Sequence, residues 1–357
     1  MRFSFRWFGP EDSIPLQYIR QIPCVTTVVS SCHNTPAGQL WQREEVAALS
    51  RQAAENGLNF SVVEGLPVHE SIKLGLDSRD RFIENFITNL GLLADHGVDT
   101  VCYNFMPLFG WIRTDLNTRL EDGSFTVSFA RSQLEAMNPA KTELKLPGWN
   151  FSSKKEELSQ MLERYRAMGT EGMWKNLAYF LKAVVPEAER LGIRLAIHPD
   201  DPPLPLFGLP RIVSSLEDLL RITALVDSPA NSITLCTGSL GSGSQNNVAE
   251  ITDSMAARGR IAFVHARNVL LAENQDFLES AHFSPCGSLD MAQILSILYR
   301  HGFDGAIRSD HGRMVWGEQG KPGYGLYDRA MGICYLSGLW ESLACQTCFQ
   351  PSGCNNN

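Results

Sequence analysis

Four residues able to bind a metal, His198, Cys236, His265 and Asp310, stand at the ends of short apolar runs. Two imidazoles, a thiol and a carboxylate suit a divalent transition metal. They lie 38, 29 and 45 positions apart. No zinc finger has that spacing, but one strand plus one helix per step does. The binding forms are neutral His and ionised Cys, so affinity should fall at low pH. Taken singly, Cys236 also reads as a small buried apolar residue, and His265 as a satisfied core histidine. The metal reading rests on four equivalent positions.

Other polar groups end similar runs: Glu64, Tyr103-Asn104, and His311 beside Asp310. Arg113, Arg267, Arg313 and Lys321 are cations placed near the same strand ends. In an acidic chain they suit an anionic substrate, since guanidinium matches carboxylate or phosphate. Each alone is equally readable as a surface ion pair. His96 and His301 precede helix-ending glycines and read as structural, complementing the helix dipole. His69 stays open, and His282 fits either the site or a surface loop.

These residues need elements to hold them. Eight strands are expected, at 2–8, 25–31, 59–64, 99–105, 193–199, 232–237, 261–267 and 304–310. Helical stretches fit at 42–56, 79–96, 174–191, 215–226, 247–258, 289–301 and 326–340. Gly57, Gly97, Gly192, Gly259 and Gly302 each fall where a helix gives way to an apolar run, the position where glycine turns the chain without steric cost. Strict alternation implies a parallel sheet covered by helices. Eight units favour a closed (β/α)8 TIM barrel, α/β in class, whose chemistry sits at the C-terminal strand ends. No GxGxxG or Walker motif follows any strand, which leaves dinucleotide and P-loop readings without a signature.

A long insertion follows strand four, about 106–172, and reads as a lid or dimer contact. Within it Asp122-Gly123 separates two runs able to pair as a hairpin. The catalytic domain is expected over 1–341. A Cys- and Asn-rich tail, 342–357, reads as disordered, and its CxxC alone is a weak metal signal.

Composition bounds the rest. At ~150 residues per domain, 357 residues suggest about two domains, which the strand count reduces to one barrel with additions. Apolar residues make up 44% and charged residues 20%, ordinary for a globular chain. The net charge of −8 and the lack of a basic block disfavour a nucleic-acid partner. No run reaches the ~18 apolar residues of a membrane span. The start lacks an apolar signal core, so a cytoplasmic setting is expected. Nine cysteines, an odd number, argue against a disulfide framework.

The motifs HPDDPP (198–203), CTGSLG (236–241), FVHARN (263–268), DHGRMVWGE (310–318) and PGYGLYDRA (322–330) resemble those of the mannonate dehydratase family. FRWFG, PVHE and CYNFMP extend the resemblance over about residues 1–340. It implies a xylose-isomerase-like barrel binding Mn2+ or Fe2+. The implied reaction dehydrates D-mannonate to 2-keto-3-deoxy-D-gluconate in hexuronate catabolism, with a homodimer as the assembly. The family's metal ligands fall on His198, Cys236, His265 and Asp310. Its catalytic His and Tyr fall on His311 and Tyr324, with Tyr327 the weaker candidate for the second. Substrate contacts are expected from Arg267, Arg313, Asn104, Glu64 and His33. Two departures bear on the substrate: SCHNTPAG carries His33-Asn34 where another pair is usual, and Asn247 replaces an acid. A metal-dependent sugar isomerase or epimerase, or a non-catalytic sugar-acid binder, are the competing readings. A Cys ligand argues against the isomerase.

Overall fold

The computed structural model describes residues 1–137 and 155–348. Twelve strands occur among them. In chain order they are β1 Arg2–Arg6, β2 Thr27–Ser30, β3 Asn59–Glu64, β4 Thr100–Tyr103, β5 Asp115–Arg119, β6 Phe125–Phe129, β7 Arg194–Ile197, β8 Asn231–Cys236, β9 Ile261–His265, β10 Val269–Leu271, β11 Phe277–Glu279 and β12 Ala306–Arg308. Eight of them close a parallel barrel in the order β1-β12-β9-β8-β7-β4-β3-β2. These are the eight strands expected from the sequence. The five junction glycines all have positive φ, between 64° and 78°, as the helix-to-strand turns require.

Strand residues alternate between the two faces of the barrel wall. Val29, Val62, Cys102, Ala196, Ala262, Phe263 and Ala306 form the interior cluster, with Ala262 and Phe263 consecutive where the β8–β9 register shifts. Their neighbours Val28, Val63, Val101, Leu195, Ile197, Leu235 and Ile307 point outward into the main core beneath the helices. Those helices include Arg43–Glu55, Arg79–Asp95, Leu216–Leu225, Val248–Ala257 and Met291–Arg300, each within a residue or two of its expected place.

The remaining strands form a separate antiparallel sheet, β10-β11-β6-β5. β5 and β6 are the expected hairpin, with Arg119 opposite Phe125 and Gly123 at φ 83° in the turn. Its partners β10 and β11 follow β9 and were not foreseen. A bridge between Phe125 and Met314 joins this sheet to the loop after β12, so it caps the C-terminal end of the barrel.

Two boundaries differ from expectation. The helix expected at 174–191 starts at Lys155 and runs to Arg190, interrupted by non-helical backbone at Gly169. The insertion is therefore shorter, and its segment 138–154 lies outside the described residues. The tail expected from 342 begins later as well. The last helix spans Tyr327–Cys348, because Leu339, Trp340 and Leu343 still pack on the core. Residues 349–357 lie outside the described part. No helix among the described residues is long and apolar enough to cross a membrane.

Candidate active site and metal centre

The barrel register sets the candidate metal ligands next to one another. Cys236, the last residue of β8, lies directly opposite His265, the last of β9. His265 lies opposite Arg308 of β12. His198 follows β7, its backbone N–H donating to the Tyr103 carbonyl at 2.7 Å. The ligand atoms of His198, Cys236 and His265 fall within 4.8 Å of one another. His198 Nε2 and His265 Nδ1 are 3.1 Å apart. Asp310 adds an oxygen 3.6 Å from the Cys236 sulfur and another 3.9 Å from His265 Nδ1.

These distances fit a shared ion. Bonds of ~2.1–2.3 Å to one tetrahedral metal leave its ligand atoms roughly 3.4–3.7 Å apart. The donor set of soft sulfur, two imidazoles and one carboxylate also fits a divalent transition metal.

Asp310 and His311 are successive residues, which on a strand would face opposite ways. Both line the same cavity. Asp310 has φ 56°, a left-handed conformation that breaks the alternation and is uncommon outside Gly, Asn and Asp. The cavity encloses about 1480 Å3, and Glu64, His33, Asn104, His198, Lys321 and Tyr324 also line it.

A buried charge network supports this floor. Arg267 donates to Asp310 from Nε at 2.7 Å, to Glu279 at 2.7 Å and to Asp201 at 2.8 Å. Arg113 binds the same Glu279 and Asp201, at 2.6 and 2.8 Å. Burial alone would raise these carboxylates, but Arg267 and Arg113 hold Glu279 well below the usual range, and Asp201 to about 2. Gly238 of CTGSLG makes room for the network. A Cβ there would lie 2.5 Å from the Arg267 guanidinium.

Arg308 holds Glu64 at 2.7 and 2.9 Å and Asp310 at 2.8 Å. Despite their burial, Arg308 foremost keeps both acids ionised well below their ordinary values. Glu64 also stands 3.2 Å from His265 Nε2.

His311 bridges the network and the cavity. Its Nδ1 is 3.1 Å from Glu279 and its Nε2 is 2.9 Å from the Tyr324 hydroxyl. An ionised Glu279 only accepts, so Nδ1 carries the proton and Nε2 accepts from Tyr324. Burial, then the charge of Asp310, push the Tyr324 hydroxyl far above its usual value, which keeps it a proton donor. Trp111 from the insertion packs beside His311, ring centres 4.8 Å apart.

Comparison with known proteins now decides the family. Residues 1–349 match the family model described as D-mannonate dehydratase (UxuA). A mannonate dehydratase of Streptococcus agalactiae serotype III (strain NEM316) is 48% identical over 343 residues, 96% of this chain and 99% of that protein. Mannonate dehydratase 2 of Halalkalibacterium halodurans is 46% identical, covering 96% of this chain and all of its own length. The chain belongs to the D-mannonate dehydratase family. A crystal structure of mannonate dehydratase from Streptococcus suis serotype 2 superposes with a TM-score of 0.91 at 42% identity, over 97% of this chain and 96% of that one. A xylose isomerase domain protein from Planctomyces limnophilus shares the fold at a TM-score of 0.55 and 13% identity, over 96% of this chain and 98% of that one.

Within this D-mannonate dehydratase fold, the structure gathers His198, Cys236, His265, Asp310, His311 and Tyr324 at one place, with Glu64, Asn104 and His33 on the cavity wall. Tyr327 is exposed and its ring lies tilted against Trp316, centres 5.6 Å apart, whereas Tyr324 is the tyrosine that reaches His311. Two expected substrate contacts depart from the cavity. Arg267 is fully buried, its donors taken by three carboxylates. Arg313 is paired with Asp328 and Asp122, both at 2.9 Å. Arg267 is neutralised inside the protein and Arg313 by pairs nearer its surface. Asn247 caps the helix Val248–Ala257 through the Glu250 N–H. His282 is buried against the Ser309 carbonyl at 2.6 Å, and His69 caps a short helix at Ser71.

Sequence reasoning missed Glu279, Arg308 and Arg6. Arg308 had a signal, since it precedes Asp310 by two positions inside an otherwise apolar run. Arg6 sits in the FRWFG motif and approaches His33 at 3.4 Å. Burial, then Arg6 and Lys321, push His33 down to about 3, which keeps its ring neutral. Glu279 lies in an unforeseen three-residue strand and gave no signal.

Proposed function

We propose that this chain removes water from D-mannonate to give 2-keto-3-deoxy-D-gluconate, with His311 as base and Tyr324 as acid. The contact that carries the role assignment is the chain Glu279–His311–Tyr324. Glu279 fixes the imidazole tautomer so that Nε2 carries no proton of its own and can take one. The reaction needs the C2 proton removed and hydroxide expelled from C3. His311 Nε2 takes the first, and the Tyr324 hydroxyl protonates the second. Because the two groups share a hydrogen bond, the proton gained by His311 can replace the one Tyr324 gives. The enol left behind ketonises at C3, and the atoms balance as loss of one water.

His198, Cys236, His265 and Asp310 would hold the divalent metal, Mn2+ or Fe2+. When bound, such an ion supplies positive charge that stabilises the negative charge formed at C1 and C2. Thiolate and imidazole favour Fe2+ over Mn2+, so Mn2+ rests on family resemblance. Glu64, Asn104 and His33 line the wall that would contact the sugar-acid hydroxyls. A cytoplasmic homodimer completes the proposal, supported by family resemblance and by the insertion at the barrel mouth.

The test is turnover of D-mannonate by protein loaded with Mn2+, Fe2+ or Co2+, read as formation of a 2-keto-3-deoxy acid. No turnover with any of the three metals would refute the reading. A ketose preferred over D-mannonate would restore the isomerase.

A further inference from the structure

Cys24 and Cys334 take no part in this chemistry, yet Cys24 packs against the helical turn that carries Cys334. Cys24 lies in the turn before β2, at the end of the barrel opposite the site. Cys334 lies on the last helix. The Cys24 thiol donates to the Ile333 carbonyl at 3.8 Å, and Cys334 and Ser337 are its neighbours on the same helix. Residues 333, 334 and 337 share about one turn of helix, so Cys24 docks on one patch of its surface. Cys24 is half-buried, whereas Cys334 is open to solvent. An accessible thiol beside a sheltered second one is the arrangement of a reacting and a resolving cysteine.

We propose that Cys24 and Cys334 form a redox-modification site, which a low-molecular-weight disulfide of the glutathione class converts to an internal disulfide. The exposed Cys334 thiolate attacks one sulfur of the oxidised reagent. That S–S bond breaks, and one glutathione leaves as thiolate and takes a proton. Cys24 releases its proton to solvent and attacks the Cys334 sulfur, expelling the second glutathione. Two protein thiols lose two electrons, and one disulfide becomes two thiols. Burial, then Cys334 itself, push the Cys24 thiol up to about 11, which makes it the second to react.

The bond would link positions 310 residues apart, and so restrict the unfolded chain. The helix it anchors begins three residues after Tyr324. Arg329 already ties its first turn to the Tyr324 and Gly325 carbonyls at 2.7 Å each. Cys345 does not compete for Cys334, since eleven helical positions separate them by ~16 Å.

The full-length protein is incubated with oxidised glutathione, alkylated, digested and mapped by mass spectrometry. The expected result is a Cys24–Cys334 linked peptide that dithiothreitol removes, unchanged mannonate turnover, and an unfolding midpoint raised by roughly 5 °C. Cys24→Ser should stop at a glutathione adduct on Cys334, with Cys24→Ala as the alternative if the serine variant does not fold. A stable Cys334–glutathione adduct in the unmutated chain without the linked peptide would overturn the proposal, as would Cys334 bonded to a tail cysteine.

Discussion

The Nε2 atom of His311 lies 2.9 Å from the phenolic oxygen of Tyr324. The two groups are separated by twelve residues of loop. In the proposed reaction that contact joins the group that accepts a proton to the one that donates it. Tyr324→Phe keeps the ring and removes only the hydroxyl. Turnover of D-mannonate should fall by ~10²–10⁴-fold with metal content unchanged in elemental analysis. Activity within threefold of the parent would remove Tyr324 from the proton transfer.

Cys236→Ser replaces a soft ligand by a hard one at a position fully enclosed by protein. Metal content after dialysis should drop to a small fraction of that of the parent, and activity with it, while far-UV circular dichroism stays the same. Full metal occupancy in this variant would exclude Cys236 as a ligand.

Glu279→Gln leaves Arg267 and Arg113 buried with one carboxylate fewer and frees the His311 ring to adopt the other tautomer. Breaking a buried pair from one side costs about 3–5 kcal/mol, to be read as a lowered urea midpoint. Activity should fall further than occupancy of the folded state explains. Parent-like stability would show that Asp201 and Asp310 suffice for the two guanidinium groups.

Acid stability follows from Asp201. Its folded value of about 2 lies below the ordinary 3.8, so the unfolded chain binds the proton more tightly. The contribution is complete above pH ~4 and is lost as pH falls through about 2, on the order of 2 kcal/mol. Asp201→Asn should lower stability at neutral pH and flatten its decline between pH 4 and 2. An equally steep decline in that variant would place the acid sensitivity elsewhere.

Much of this was legible in the sequence because it is local or periodic. Gly192 before an apolar run, Cys236 after one and Asp122-Gly123 between two short runs each announce themselves within a few residues. The supporting charges did not. Arg113, Arg267 and Glu279 meet across 166 positions of chain. A lone Arg or Glu looks the same in sequence whether it ends in solvent or in a buried pair, which is why Arg267 was expected to reach the substrate. The last helix was expected to stop at 340 because polar residues among its final turns resemble a frayed end, while Leu343 still reaches the core.

The cap sheet joins two excursions of the chain that are far apart in synthesis. Phe129 of β6 pairs with Phe277 of β11, 148 positions later. Glu279, which orients His311, is delivered by that pairing. Contacts between distant parts of a chain form late, because the intervening segment must first be ordered. A refolding molecule should therefore regain its barrel, read by circular dichroism, before it regains activity. The order of assembly keeps the proton-transfer pair unarmed until the cap has closed over the barrel mouth.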